Sequence, residues 1–373
     1  MKITRSSIMQ GLILATALGI GLGFVSPVSA QHAYIVDSNG KGLTDLGTLG
    51  GSYIEARGIN NAGQVVGWSQ TAAGAYHAFI TGPNGVGMTD LGSLGGGFSQ
   101  AFGINDAGQV VGWSNTAAGA YHTFITGLNG VGMTDLGTMG GTSSSASGIN
   151  EAGQVVGAFF TAAGNYHAFI TGPNGVGMTD LGTMGRTSSS ASGINDAGQV
   201  VAYSYTGASH AFITGPHGVG MTDLGTLGGD SSAAYAINDA GQVVGLSDTA
   251  AGASHAFITG PNGVGMTDLG TLDGLGSRAY GINDAGQVVG NSDPAGVIGP
   301  GHAFITGPNG INMTDLNSLV SFGGILTSAM GINNLGQVAA NSIGSPIPEP
   351  ETYAMLLAGL GLLGFMLRRC KTA

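Results

Sequence analysis

Cysteine is almost absent: Cys370 is the only one in 373 residues. No intramolecular disulfide can form, and no cysteine-based metal site. Basic residues are scarce too, nine Lys and Arg against 20 Asp and Glu, for a formal charge of −11. Lys2, Arg5, Arg368, Arg369 and Lys371 lie in the two termini. Residues 31 to 347 keep only Lys41, Arg57, Arg186 and Arg278 against 18 carboxylates, a net of −14. Such a body repels phosphate backbones, which excludes nucleic acid as the partner. Catalytic signatures are missing as well. There is no His-Glu-x-x-His, no nucleophile elbow leading from strand to helix, and no P-loop. The Gly-x-Gly strings are followed by no βαβ unit, so they are not dinucleotide loops. Neither a catalytic residue, a cofactor nor a metal is expected. The body also lacks any segment with a helical period.

What the chain has in plenty is glycine, 73 residues, without the Gly-X-Y period of collagen. With 42% hydrophobic residues and only 8% charged, it can bury a core. The glycines punctuate one unit that recurs seven times: His-Ala-Phe-Ile-Thr, Pro-Asn-Gly, Met-Thr-Asp-Leu-Gly, a Gly/Ser stretch, then Gly-Ile-Asn-Asp-Ala-Gly-Gln-Val-Val-Gly. Its leading histidines, His32, His77, His122, His167, His210, His255 and His302, are spaced by 45, 45, 45, 43, 45 and 47 residues. A fixed period of this size marks a propeller, solenoid or array.

Each copy offers four short strands, as in His77 to Thr81, Met88 to Leu91, Ala101 to Asn105 and Gln109 to Ser114. They are rich in β-branched and aromatic residues and bounded by turn formers. Gly82-Pro83-Asn84-Gly85 and Asp106-Ala107-Gly108 read as hairpin turns. Four antiparallel strands per copy make a propeller blade; a parallel β-helix has no use for tight hairpins. The expected fold is therefore all-β, a propeller of about seven four-stranded blades over residues 31–342. Two closures are open. Either the strand His32 to Val36 completes the blade holding Thr314, Ile332 and Val338, or seven self-contained blades form the ring.

The ends read as an address. Residues 1–30 have Lys2 and Arg5, an apolar stretch from Ile8 to Val25, and Val28-Ser29-Ala30, the pattern of a signal peptide cleaved between Ala30 and Gln31. A Pro-rich linker, residues 343–352, precedes an apolar run from Tyr353 to Leu367 and a basic tail, residues 368–373. As a helix the run spans only about 22 Å against a bilayer core of about 30 Å, a short membrane span. The basic tail would stay cytoplasmic. The order Pro348-Glu349-Pro350, apolar helix, then Arg368, Arg369 and Lys371 resembles the PEP-CTERM sorting signal. That resemblance implies an exosortase partner in the inner membrane of a Gram-negative bacterium, removal of the tail, and export to the surface or extracellular matrix in a strain that makes exopolysaccharide. The triplets His77-Ala78-Phe79, His167-Ala168-Phe169, His210-Ala211-Phe212, His255-Ala256-Phe257 and His302-Ala303-Phe304, with variants at His32 and His122, resemble the HAF-repeat family of exported bacterial proteins. That family brings no chemistry to carry over.

Residues common to all copies are expected to serve the fold. The repeat histidines read as strand-end residues tying down a turn. Asp45, Asp90, Asp135, Asp180, Asp223, Asp268 and Asp315 hold a cation only if they face a central channel, and otherwise bond nearby backbone amides. The Asn-Asp-Ala-Gly turns echo calcium loops but lack the carboxylate ladder and its distal Glu. The copies differ after Val-Val-Gly: Trp68, Trp113, Ala158 (then Phe159 and Phe160), Tyr203, Leu246, Asn291 and Asn341. Trp68, Trp113, Phe159 and Tyr203 are thus candidate sugar-stacking residues, against packing between blades as the alternative. The expected function is a non-enzymatic surface or matrix component, with exopolysaccharide or surface proteins as candidate partners. A glycan hydrolase or lyase on the same scaffold, and a structural protein without a ligand, are the alternatives.

Overall fold

The computed structural model describes residues 31–38, 42–272, 274, 276–293 and 301–344. The cleavage-site residue Ala30, Lys41, the linker from residue 345 onward, the apolar run and the sorting residues Pro348, Glu349, Pro350, Arg368 and Arg369 lie outside them. Among the described residues there is no α-helix, only strands and single 3-10 turns.

Seven four-stranded antiparallel sheets form a seven-bladed β-propeller. Blades 1 to 6 span residues 50–90, 95–137, 143–182, 188–225, 228–270 and 277–315. Each takes its first two strands from the end of one sequence unit and its last two from the start of the next. Blade 7 closes the ring. Gln31–Asp37 enters between Gln337–Gly344 and Leu43–Asp45, with Tyr34 opposite Ala340 and Val36 opposite Val338. The phase-shifted closure is the one that forms. Ile332 and Val338 belong to that blade as expected, but Thr314 does not: it pairs with Ile305 in blade 6. The Met-Thr-Asp segment of the seventh unit follows directly on the His-Ala-Phe strand of that unit, so its short hairpin keeps it there.

Hairpin chemistry sets each blade. In blade 1, Asn84 and Gly85 take φ of 55° and 76°, and the Gly82 N–H bonds the Val86 carbonyl at 3.1 Å. Asn is among the few side chains that tolerate this left-handed region. Apolar side chains then interlock between neighbouring blades. Val66, Ala78 and Ile80 of blade 1 meet Ala101, Val110 and Phe124 of blade 2. The repeated phenylalanines Phe79, Phe124, Phe169, Phe212, Phe257 and Phe304 are fully buried, each stabilising by about 1.5–3 kcal/mol.

The first strand of every blade lines the axis and ends in a buried asparagine. The Asn60 side-chain oxygen accepts the Gln64 N–H at 2.9 Å, and its amide donates to Gln64 Oε1 at 2.9 Å and to the Asn105 carbonyl at 3.1 Å. Asn105, Asn150, Asn195, Asn238 and Asn283 repeat the link to the next blade. Asn333 returns to the Asn60 carbonyl at 2.9 Å. A closed ring of seven amides therefore joins first blade to last in a molecule that has no disulfide to do so.

Candidate functional site

Antiparallel strands put two kinds of connection at opposite ends of each blade. The turns between first and second and between third and fourth strands share one face. The loops between second and third strands, and the links between blades, share the other. The two faces differ in chemistry.

On the turn face the residue after each ring asparagine accepts the backbone N–H of its neighbour. Asp106 accepts from Asn61 at 2.8 Å, Glu151 from Asp106 at 2.7 Å, and the series continues through Asp196, Asp239, Asp284 and Asn334 back to Asn61. The result is an axial cavity of about 240 Å³ rimmed by five carboxylates and two asparagines. Burial, then the neighbouring carboxylates, hold Glu151 and Asp239 above the ordinary carboxylate range. These axial acids come from the Asn-Asp-Ala-Gly turns, not from the Met-Thr-Asp strands.

The Met-Thr-Asp aspartates sit instead on the outermost strands. Asp90 receives His77 Nδ1 at 2.9 Å and the Gly92 N–H at 2.7 Å. The same pairing joins His122 to Asp135, His167 to Asp180, His210 to Asp223, His255 to Asp268 and His302 to Asp315. His32 and Asp45 are looser, at 3.4 Å. Each pair fixes one hairpin. Among the described residues no three metal-ligating side chains converge.

The loop face is irregular. A cavity of about 490 Å³ crosses blades 2, 3 and 4. Its aromatic walls are Trp113 and Tyr121 from blade 2, Tyr166 from blade 3, and Tyr203 and Tyr205 from blade 4. Its floor is Ser143, Ser144, Ser145, Ser147 and Ala158 from blade 3, with Ser190 from blade 4. Local sequence makes this space. The axial strands of blades 3 and 4, Ser143–Ile149 and Ser188–Ile194, have seven residues; those of blades 1, 2 and 5 have ten, that of blade 7 nine, and that of blade 6, which keeps the bulky Tyr280, six. Tight turns with Met139 and Met184 at φ of 51° and 53° replace the missing residues. Just before the strand glycine (Ala236 in blade 5) blades 3 and 4 carry Ser147 and Ser192, where the others carry Arg57, Phe102, Tyr235, Tyr280 and Met330.

Strand alternation brings the lining together. Ser143 and Ser145 are two residues apart and share one side of their strand, and Ser147, at the register shift between Ala146 and Gly148, lines the same cavity. Ser145 lies opposite Ala158, and Ser190 opposite Tyr203. Trp113 and Tyr121 meet edge to face at 4.9 Å, and Tyr203 stacks beside Tyr205 at 6.1 Å. Ser144 is committed to the fold, accepting the Thr123 N–H and donating to the Gly137 carbonyl. Ser143, Ser145, Ser147, Ser190, the four tyrosine hydroxyls and the Trp113 indole have no hydrogen-bond partner among the described residues.

Of the four residues singled out by sequence, Trp113 and Tyr203 line this cavity. Trp68 and Phe159 do not. Trp68 is 7% exposed, with the Arg57 guanidinium 4.9 Å from its ring centroid and Phe102 at 5.7 Å. Phe159 is one residue past Ala158, so it points the other way, into the core beside Phe169. Burial covers both rings, and packing between blades accounts for them. Tyr121, Tyr166, Tyr205 and the serines were not singled out. The signal available was the string Thr-Ser-Ser-Ser-Ala-Ser-Gly-Ile, which occurs at 142–149 and 187–194 and in no other copy.

Residues 346–369 match the PEP-CTERM protein-sorting motif. No curated protein matches the chain. Among solved structures the ring is similar to the β-propeller domain of the Trilobed protease from Pyrococcus furiosus, with a TM-score of 0.54 and 11% identity over 79% of this chain and 92% of that one. A putative TolB from Agrobacterium tumefaciens gives 0.51 and 12% over 85% and 99%. An oligogalacturonate lyase in complex with manganese gives 0.50 and 10% over 86% and 98%. At these identities the likeness shows the fold alone. The chain is thus a seven-bladed β-propeller carrying a PEP-CTERM sorting motif, the mark of an exosortase-processed, exported protein.

Proposed function

We propose that the mature chain is a non-enzymatic component of the surface or extracellular matrix of a Gram-negative bacterium, and that it binds exopolysaccharide on its loop face. In this reading the signal peptide is removed after Ala30. The segment from Tyr353 to Leu367 holds the precursor in the inner membrane until exosortase cuts near Pro348-Glu349-Pro350. The repeats are of the HAF type. The observation that carries the binding role is the cavity's lining: five aromatic rings beside a floor of serines whose hydroxyls are mostly unspent. Aromatic rings take the apolar faces of sugars, and unpaired hydroxyls exchange hydrogen bonds with sugar hydroxyls. Small-ligand sites have this build, an apolar wall with a few converging polar groups, and volumes of about 300–1,000 Å³.

The test is binding of the exported protein to bacterial exopolysaccharides, with Trp113→Ala and Tyr203→Ala alongside and folding checked by circular dichroism. Saturable binding lost in both variants supports the reading. Release of reducing ends or unsaturated sugars would replace it with a hydrolase or lyase.

A further inference from the structure

We infer that the loop-face cavity selects an uncharged polysaccharide and holds it along several sugar residues. This rests on the carbohydrate reading above and adds the class and extent of the ligand.

The first ground is charge. No residue lining the cavity bears one. A carboxylated or sulfated chain would need cationic partners there to repay its desolvation. The arginines of the repeats do not supply them. Arg57 is bound to Glu55 at 2.7 Å and covered by Trp68. Arg186 donates to the Ala208 carbonyl at 2.9 Å and does not line the cavity. Arg278 stands in blade 6, away from blades 2 to 4. Around the site, residues 31 to 347 carry a net charge of −14, which repels a polyanion over about a Debye length of 10 Å. The free groups that remain are hydroxyls and one indole N–H, which suit a neutral polyol.

The second ground is extent. Rings stand on three successive blades: Trp113 and Tyr121, then Tyr166, then Tyr203 and Tyr205. Packed sheets lie about 10 Å apart, so the platforms of blades 2 and 4 are farther apart than one hexose can bridge. Between them the serines of blade 3 form a floor without bulky side chains. A chain crossing from blade 2 to blade 4 touches all three platforms; a single sugar touches one.

The experiment is affinity electrophoresis and calorimetry of the exported protein against two neutral polymers (a β-glucan and a galactomannan) and two acidic ones (alginate and polygalacturonate). Disaccharides and hexasaccharides from any polymer that binds are then titrated. Expected are binding to a neutral polymer and none to either acid. The hexasaccharide should bind at least about tenfold tighter than the disaccharide. Ser147→Phe, which copies Phe102 of blade 2, should abolish binding while the protein stays folded. Binding of acidic polymers as well or better would overturn the inference but leave the carbohydrate reading in place. Equal affinity for di- and hexasaccharide would overturn the extended site. No binding to any of the four polymers would overturn both.

Discussion

The two axial faces are built from the same seven repeats, yet one keeps their symmetry and the other breaks it. On the turn face every blade contributes the same buried asparagine, and the seven amides close a ring. On the loop face blades 3 and 4 combine shortened axial strands, which blade 6 shares, with serine where other blades put Arg57, Phe102, Tyr235, Tyr280 or Met330. A residue repeated seven times answers to the fold, because each copy must join to the next. A site must differ from its surroundings, so it arises where copies diverge.

Four substitutions sharpen or break that contrast. The largest effect belongs to ring closure. Val36→Asp buries a charge in the strand that joins first and last blades, where Val36 is fully buried. A loss of more than about 4 kcal/mol is expected by denaturant unfolding. Next, Asn105→Ala removes the turn and ring bonds of a residue that is 2% exposed, for a loss of about 3 kcal/mol. Its loop-face counterpart Ser145→Ala should stay within about 0.5 kcal/mol. Equal losses at the two positions would erase the distinction between the faces. The smallest effect concerns the axial acids. Because the fold raises the pKa of Glu151 and Asp239, it binds their protons more tightly than the unfolded chain does. Their contribution is then most favourable below the unfolded carboxylate pKa, and it is lost as pH rises through the raised folded values. Asp239→Asn keeps an acceptor for the Asp196 N–H and removes the charge. Its melting temperature should exceed wild type at pH 7, with the gap closing on acidification. A gap that is absent or reversed at pH 7 would contradict the electrostatic account.

Much of the fold was legible because hairpins are local. Asn84-Gly85 and Val65-Val66-Gly67 announce turn and strand within a few residues, and the period counts the blades. The closure left open in sequence needed a long-range pairing, Val36 with Val338, which no local pattern settles. The amide ring was hidden for the same reason: Asn60 finds its partner 45 residues away. The histidine and aspartate of each unit were read as separate structural residues. Their 13-residue spacing, constant from His32 and Asp45 to His302 and Asp315, held the hint that they pair. At the site, Trp113 and Tyr203 stood out as bulky residues at a variable position, but the same logic also admitted Trp68 and Phe159. Only packing separates them. Ala158 faces the cavity and Phe159, its neighbour in sequence, faces the core. The serine floor escaped notice because serine in a Gly-rich stretch reads as a link.

The most direct measurement uses the chain's two tryptophans. In Trp68→Phe, Trp113 is the sole indole reporter. Its fluorescence is titrated with a neutral hexasaccharide from whichever polymer the exported protein binds. A saturable shift that tracks the calorimetric affinity, and vanishes when Ser147→Phe is added, is the predicted result. Calorimetric binding with no response from Trp113, or a response unchanged by Ser147→Phe, would place the sugar elsewhere and contradict the assignment of the loop face.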